Sequence, residues 1–169
     1  MKLESVSAIV QALNEARVRY LVVGGLAVVA HGYLRFTNDV DMVIQLKPEN
    51  VLRAFKALEG IGFRPAVPVT AQQFADPGTR DRWIREKGMR VLQFWSDEHR
   101  ETSVDVFVLE PFDFDGEYES ALRKQLLDRF EVRVVDIPTL IAMKEEAGRP
   151  EDMVDIKYLR MRMEDREEN

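Results

Sequence analysis

Residues 20–46 read Tyr20-Leu-Val-Val-Gly-Gly-Leu-Ala-Val-Val-Ala-His-Gly-Tyr-Leu-Arg-Phe-Thr-Asn-Asp-Val-Asp-Met-Val-Ile-Gln-Leu46. Tyr20–Val23 is an apolar run of buried-strand length, stopped by Gly24-Gly25. Leu26, Ala27, Val29 and Ala30 then predict a short apolar helix ended at Gly32. From Asp39 the pattern alternates, with Val40, Met42, Ile44 and Leu46 on one face and Asp39, Asp41, Val43 and Gln45 on the other. Strand, glycine turn, helix and second strand in close succession predict an α/β (α+β) fold, a small mixed β-sheet with helices packed against it.

Asp39 and Asp41 are one residue apart on that strand, so their carboxylates point the same way with Cα atoms roughly 6.6 Å apart. Two acids on the inner face of a sheet are costly unless paired or metal-bound. A hard cation such as Mg²⁺ takes carboxylate oxygens and keeps positions for phosphate and water. Asp105, in Ser-Val-Asp-Val-Phe-Val, is a third acid inside a core-type strand. If its strand lies beside Asp39–Leu46, three carboxylates converge as a two-metal phosphoryl-transfer site requires. Alone, Asp-x-Asp is more often a solvated strand edge or a helix cap. Gly24-Gly25 lets backbone N–H groups approach a phosphate with no Cβ in the way, at the positive end of a helix. A bare Gly-Gly is, however, more often just a turn. The P-loop and dinucleotide-binding glycine patterns are absent, and Asp113-Phe-Asp115-Gly116 has its glycine too early for a calcium loop and reads as an acidic turn.

Outward from this stretch, Val6, Ile9, Val10 and Leu13 predict an opening helix behind Ser5 as N-cap. Pro48 starts a helix carrying Val51, Leu52, Phe55 and Leu58, ended at Gly60 or Gly62. Thr70 with Gln73 fits a capping box, and Thr79 is read as the cap of a helix reaching Lys87. Met89–Trp95 and Ser103–Leu109 are predicted strands and Glu117–Leu127 a helix. Glu131–Val135 is extended, Thr139–Ala147 is a helix closed by Gly148, and Glu151–Arg160 is the last helix. No repeat or linker divides the chain, so residues 1–163 are read as one domain and residues 164–169 as a polar tail that frays.

The 169 residues suffice for one domain with a sizeable core. There is no Cys and only two His, His31 and His99, which excludes a disulfide scaffold and a Cys/His zinc site and points by default to the cytoplasm. His31, on an apolar helix, is read as a packing residue. No signal-peptide pattern opens the chain, and its longest apolar stretch, Tyr20–Ala30, is too short to cross a membrane. Against 30 acids the 24 Lys and Arg leave a net charge of −6, which gives no global footprint for a polyanion. Arg80 to Arg90 reverse this locally. That segment is read first as a solvated helix face with Trp83 and Trp95 in the core, and second as a guide for triphosphate or an RNA end, with the tryptophans free to stack.

The ordered combination of strand, Gly24-Gly25, helix, Arg35-Phe-Thr37-Asn-Asp39-Val-Asp41 and a later Asp105 resembles the nucleotidyltransferase superfamily that includes DNA polymerase β. The resemblance spans Tyr20 to Leu159. The segment Ile137–Ile156, with Lys144, Arg149, Asp152 and Asp155, looks like the C-terminal motif of small AbiEii-type abortive-infection nucleotidyltransferase toxins. The resemblance implies that Gly24 and Gly25 hold a nucleoside triphosphate and that Asp39 and Asp41 bind Mg²⁺, two ions in all. It implies that Asp105 completes the metal site and assists deprotonation of the acceptor hydroxyl. Lys144 would reach phosphate or acceptor, and Asp152 would belong to the Lys…Asp motif of the nucleotide site. Read from the residues alone, Lys144 is equally a solvated helix-end cation. Asp152 is equally a cap, Arg149, Asp155 and Lys157 are surface ion pairs, and Arg35 and Thr37 either order the acidic loop or touch substrate.

The sequence therefore leads to an Mg²⁺-dependent nucleotidyltransferase acting on an RNA or protein hydroxyl, as part of a toxin–antitoxin system with an antitoxin or a second copy as partner. The rivals are nucleotidylation of a small molecule such as an aminoglycoside, and a catalytically silent binding module. So short a chain leaves acceptor recognition to the Arg80–Arg90 face or to another subunit.

Overall fold

A computed structural model describes residues 1–169. Helix α1 (Leu3–Glu15) precedes strand β1 (Tyr20–Val23), helix α2 (Gly24–Ala30), strand β2 (Asp39–Ile44) and helix α3 (Pro48–Gly60). A two-residue strand β3 (Arg64–Pro65), helices α4 (Ala71–Ala75) and α5 (Pro77–Lys87), and strands β4 (Val91–Trp95) and β5 (Ser103–Phe107) follow. The chain ends with helix α6 (Phe114–Ser120), the hairpin β6 (Leu122–Leu126) and β7 (Phe130–Val134), and helices α7 (Ile137–Ala147) and α8 (Pro150–Glu167). The strands form one mixed seven-stranded sheet in the order β3-β4-β5-β2-β1-β7-β6, the α/β arrangement expected.

The alternation in β2 decides what each face of the sheet does. Val40, Met42, Val104, Val106, Leu92 and Phe94 are buried together on one face. The apolar stripes of α1 and α3 belong to the same core, with Phe55 of α3 edge-on to Phe94 at 5.1 Å and tilted against Phe74 of α4 at 5.4 Å. Ile9 and Leu13 are wholly enclosed, each contributing on the order of 1.5–3 kcal/mol. On the opposite face α2 covers β1 and β2, while Gln93 and Trp95 of β4 stand open to solvent.

Several local expectations are corrected. Ser5 lies inside α1 and does not cap it; its Oγ meets His99 Nδ1 at 2.9 Å. Thr70 and Gln73 do make a reciprocal capping box, but α5 is capped by Asp76, whose Oδ2 accepts from Thr79 N at 2.9 Å, with Pro77 in the first turn. The predicted helix Glu117–Leu127 splits into α6 and β6, because Leu127 and Asp128 both take positive φ (52° and 55°) and turn the chain back as a hairpin. Arg123 and Lys124 are exposed on that edge strand, where charge blocks further pairing. Asp113–Gly116 is the start of α6 and not a free turn. Helix α8 continues past Arg160 to Glu167, although every side chain from Glu164 on is exposed.

Candidate active site

Two pairings bring the acids together. Strand β2 runs parallel to β5 with Asp41 beside Asp105 and Asp39 beside Ser103, and antiparallel to β1 with Asp41 beside Val23. Residues in register on adjacent strands show the same face at a strand spacing of roughly 4.8 Å. Asp41 and Asp105 are therefore neighbours across the sheet, and Asp39 lies one pleat along. Burial, then Asp105 and Asp39, pushes the Asp41 carboxyl up to about 6 from its ordinary 3.8. Burial and then Asp39 also raise Asp105, partly offset by the Gln93 amide.

Strand β1 ends at Val23, so the glycine turn begins directly over Asp41. Gly24 has φ +66°, and a Cβ there would fall 2.1 Å from Asp41 Oδ2. Only glycine fits. A Cβ on Gly25 would meet Thr37 Oγ1 at 2.7 Å and Arg35 Nη2 at 3.0 Å. The loop between α2 and β2 thus folds back over the turn, with Gly24 against Asp41 and Gly25 against Arg35 and Thr37.

The donor set suits a hard cation, since all three acids offer carboxylate oxygen, and Asp105 Oδ1 is buried without a hydrogen-bond partner. Asp39 is drawn aside: its Oδ1 accepts from Ser103 Oγ at 2.5 Å. Consequently no three His, Cys, Asp or Glu side chains are gathered as a finished metal cage. A cleft of about 610 Å³ opens beside Asp39, lined among others by Phe36, Asn38, Arg100 and Ser103. A hollow of about 270 Å³ near Asn14, Tyr20 and Tyr118 contains none of these residues.

Lys144 and Asp152 make no hydrogen bond or ion pair with Asp39, Asp41 or Asp105; their direct partners lie on α7, α8 and the link between them. Neither is solvated: Lys144 Nζ is 3.2 Å from Asp152 Oδ1 and 2.8 Å from Asp155 Oδ2, with side chains at most 4% exposed. Arg149 closes the other side of Asp152, its Nε and backbone N donating to Oδ2 at 2.9 and 3.1 Å. Burial works to raise the Asp152 carboxyl, but these hydrogen bonds and Lys144 hold it below the usual range. The carboxylate is thus filled by the chain's own donors, as a cap and an ion pair. The charges of Arg149 and Lys144 still reach Asp41, where they temper its upward shift.

Asp155 is the residue that sequence reasoning undervalued. It is 1% exposed, and its Oδ1 sits 2.9 Å from Arg35 Nε. A signal existed, because Asp152, Asp155, Ile156 and Leu159 form a helical i, i+3, i+4, i+7 stripe, and all four are buried. The Arg80–Arg90 segment follows its first reading in part. Trp83 is in the core beside Phe74, Arg80 is buried against the Phe74 carbonyl, and Arg85 pairs with Asp81. Trp95 is 44% exposed on the carboxylate face. His31 is buried with Nε2 at 2.7 Å from the Val135 carbonyl, a packing role as expected.

A family model described as "Nucleotidyltransferase of unknown function (DUF6036)" matches residues 1–168. No curated protein matches the sequence. The chain is similar in structure to the lincosamide antibiotic adenylyltransferase LnuA in its lincomycin-bound form, with TM-score 0.62, 17% identity and coverage of 93% of this chain and 95% of that one. It is also similar to the antibiotic-resistance factor ANT(2'')-Ia, with TM-score 0.55, 14% identity and coverage of 97% and 91%. At these identities the likeness is one of fold.

Proposed function

The chain belongs to the DUF6036 family of nucleotidyltransferases, and from that premise we propose that it moves a nucleoside monophosphate from an NTP to a hydroxyl of a small molecule. The acceptor oxygen bonds to the α-phosphorus, the bond from that phosphorus to the bridging oxygen breaks, and pyrophosphate leaves. The observation that carries the reading is the in-register pair Asp41 and Asp105 with the Gly24 turn seated on Asp41. Gly24, Gly25, Arg35 and Thr37 bind the triphosphate; Asp39, Asp41 and Asp105 hold Mg²⁺; Asp105 receives the acceptor proton. When bound, Mg²⁺ supplies positive charge to the phosphates and the leaving group. The protein's own contribution is positional and electrostatic. Residues 1–163 serve as a single catalytic domain with 164–169 as its polar end.

A small acceptor is favoured over RNA by three observations. The cleft beside Asp39 has the volume of a small-ligand site. The basic α5 is anchored in the core through Trp83 and Arg80, and none of its residues lines that cleft. LnuA, similar in fold, acts on a lincosamide antibiotic. The second reading, transfer to RNA or protein by a toxin of the AbiEii type, draws on the Lys144–Asp155 segment. Incubation with each α-labelled NTP, Mg²⁺ and fractionated lysate separates them. Label in the small-molecule fraction is the expected outcome, label in RNA or protein favours the second reading, and label in none overturns both.

A further inference from the structure

The network on α7 and α8 holds two carboxylates, Asp152 and Asp155, against three cations, Lys144, Arg149 and Arg35. Four of these residues belong to α7, α8 and the link between them. Arg35 does not: it comes from the loop between α2 and β2, and its guanidinium spans the distance from α8 to the glycine turn. Nε lies 2.9 Å from Asp155 Oδ1, Nη1 donates to the Phe36 carbonyl at 3.1 Å, and Nη2 is, with the Thr37 side chain, one of the atoms that a Cβ on Gly25 would meet. The outer side of the Arg35 guanidinium is therefore presented at the turn. The same face of α8 grips the loop a second time, one turn on, where Tyr158 stacks on Tyr33 at 3.9 Å and 10°.

We propose that Asp155 is a positioning residue that fixes the Arg35 guanidinium over Gly24-Gly25, so that its outer N–H groups face a bound triphosphate. The inference rests on the reading that Arg35 and the turn bind the triphosphate. Arginine on a loop loses much side-chain freedom when it grips an anion, and a carboxylate that has already fixed the planar fork removes that cost from the binding step. Lys144, whose Nζ is shared between Asp152 Oδ1 at 3.2 Å and Asp155 Oδ2 at 2.8 Å, holds the Asp155 carboxylate in place.

The test is calorimetric binding of inorganic tripolyphosphate with Mg²⁺ to the full chain and to Arg35→Ala, Asp155→Asn and the double variant. Arg35→Ala is expected to weaken binding about tenfold or more, as loss of a hydrogen bond to a charged group does. Asp155→Asn is expected to weaken it comparably, and to change nothing further in the Arg35→Ala background. An equal loss in both backgrounds shows a merely structural residue and overturns the proposal. If Arg35→Ala binds like wild type, the reading of the turn falls and the proposal with it; if only Asp155→Asn binds like wild type, the proposal falls alone. Should Asp155→Asn not fold, Lys144→Met/Asp155→Leu removes the buried anion and cation together. The same loss is expected there, again absent when Arg35 is already Ala, and wild-type affinity overturns the proposal.

Discussion

Asp41 and Asp105 on the sheet and Asp152 and Asp155 on α8 are the same side chain, largely removed from water, in opposite electrostatic settings. The sheet acids neighbour one another and Asp39, and burial first, then Asp105 and Asp39, push Asp41 up to about 6. The helix acids are met by Lys144, Arg149 and Arg35, and Asp152 is held below the carboxylate range despite its burial. A chain that meets one pair of acids with its own cations at contact distance, and the other with no contacting cation, leaves the sheet acids calling for positive charge from outside. One substitution, Asp to Asn, should therefore act in opposite senses in the two places.

The largest effect should fall on catalysis. Asp41→Asn removes a ligand for Mg²⁺ beside the reacting phosphate, and NTP turnover measured by pyrophosphate release should drop by about 10³-fold or more. Without divalent cation the same variant should melt higher than wild type, because a repelled carboxylate is gone. A lower melting temperature would break the comparison. Next in size is Lys144→Met, which strands Asp155 with Arg35 alone and deprives Asp152 of one partner. Removal of one member of a buried pair should lower unfolding free energy by about 3–5 kcal/mol, read from the urea midpoint at constant m.

The pH dependence sharpens the contrast. In the folded chain Asp41 keeps its proton to about 6, whereas in the unfolded chain it releases it near 3.8, so between these values the native state binds more protons. Metal-free stability contributed by this residue must then fall as pH rises from about 4 to about 6, and stay level above. At 1.36 kcal/mol per unit the loss is about 3 kcal/mol. Comparison of wild type with Asp41→Asn by denaturant titration across this range isolates the term, which should vanish in the variant. Mg²⁺ should offset it in wild type alone.

The sheet side of this comparison is legible in local sequence signals, whereas on the helix side the sequence offers the residues of the Ile137–Ile156 segment but not the pairing of Asp155 with Arg35. Alternation in Asp39–Leu46 and the break at Gly24-Gly25 are local signals, and they located Asp41, the turn and the fold class. Asp105 could be paired with Asp41 because it interrupts an apolar strand. Asp155 depends on Arg35, which lies near the other end of the chain, and an ion pair between distant segments has no local period to betray it. Its place on a helical stripe with Ile156 and Leu159 signals burial, which the reading of Asp155 as a surface ion pair overlooks. Leu122–Leu126 failed for a related reason. Leu, Arg, Lys and Gln are good helix formers, and pairing with β7 outweighed that preference while the turn at Leu127-Asp128 carried no glycine or asparagine to announce it.

The smallest effect concerns Arg149, whose side chain is 60% exposed and which reaches Asp152 from the solvent side. Its charge is screened by water, so Arg149→Ala should cost no more than about 1 kcal/mol at neutral pH, far less than Lys144→Met at the buried side of the same carboxylate. The acid limb should reveal the loss more clearly. Asp152 has a lowered folded pKa, so its stabilisation is present above the unfolded pKa and is lost as pH falls through the folded one. Without Arg149 that folded pKa moves back up, and acid unfolding followed by circular dichroism should begin at a higher pH. The direction is opposite to that at Asp41, where acid neutralises a carboxylate disfavoured first by burial and then by Asp105 and Asp39. An unchanged acid midpoint would mean that Lys144 and the backbone N–H of residue 149 hold the carboxylate without the guanidinium, and that the matched cluster is narrower than its contacts imply.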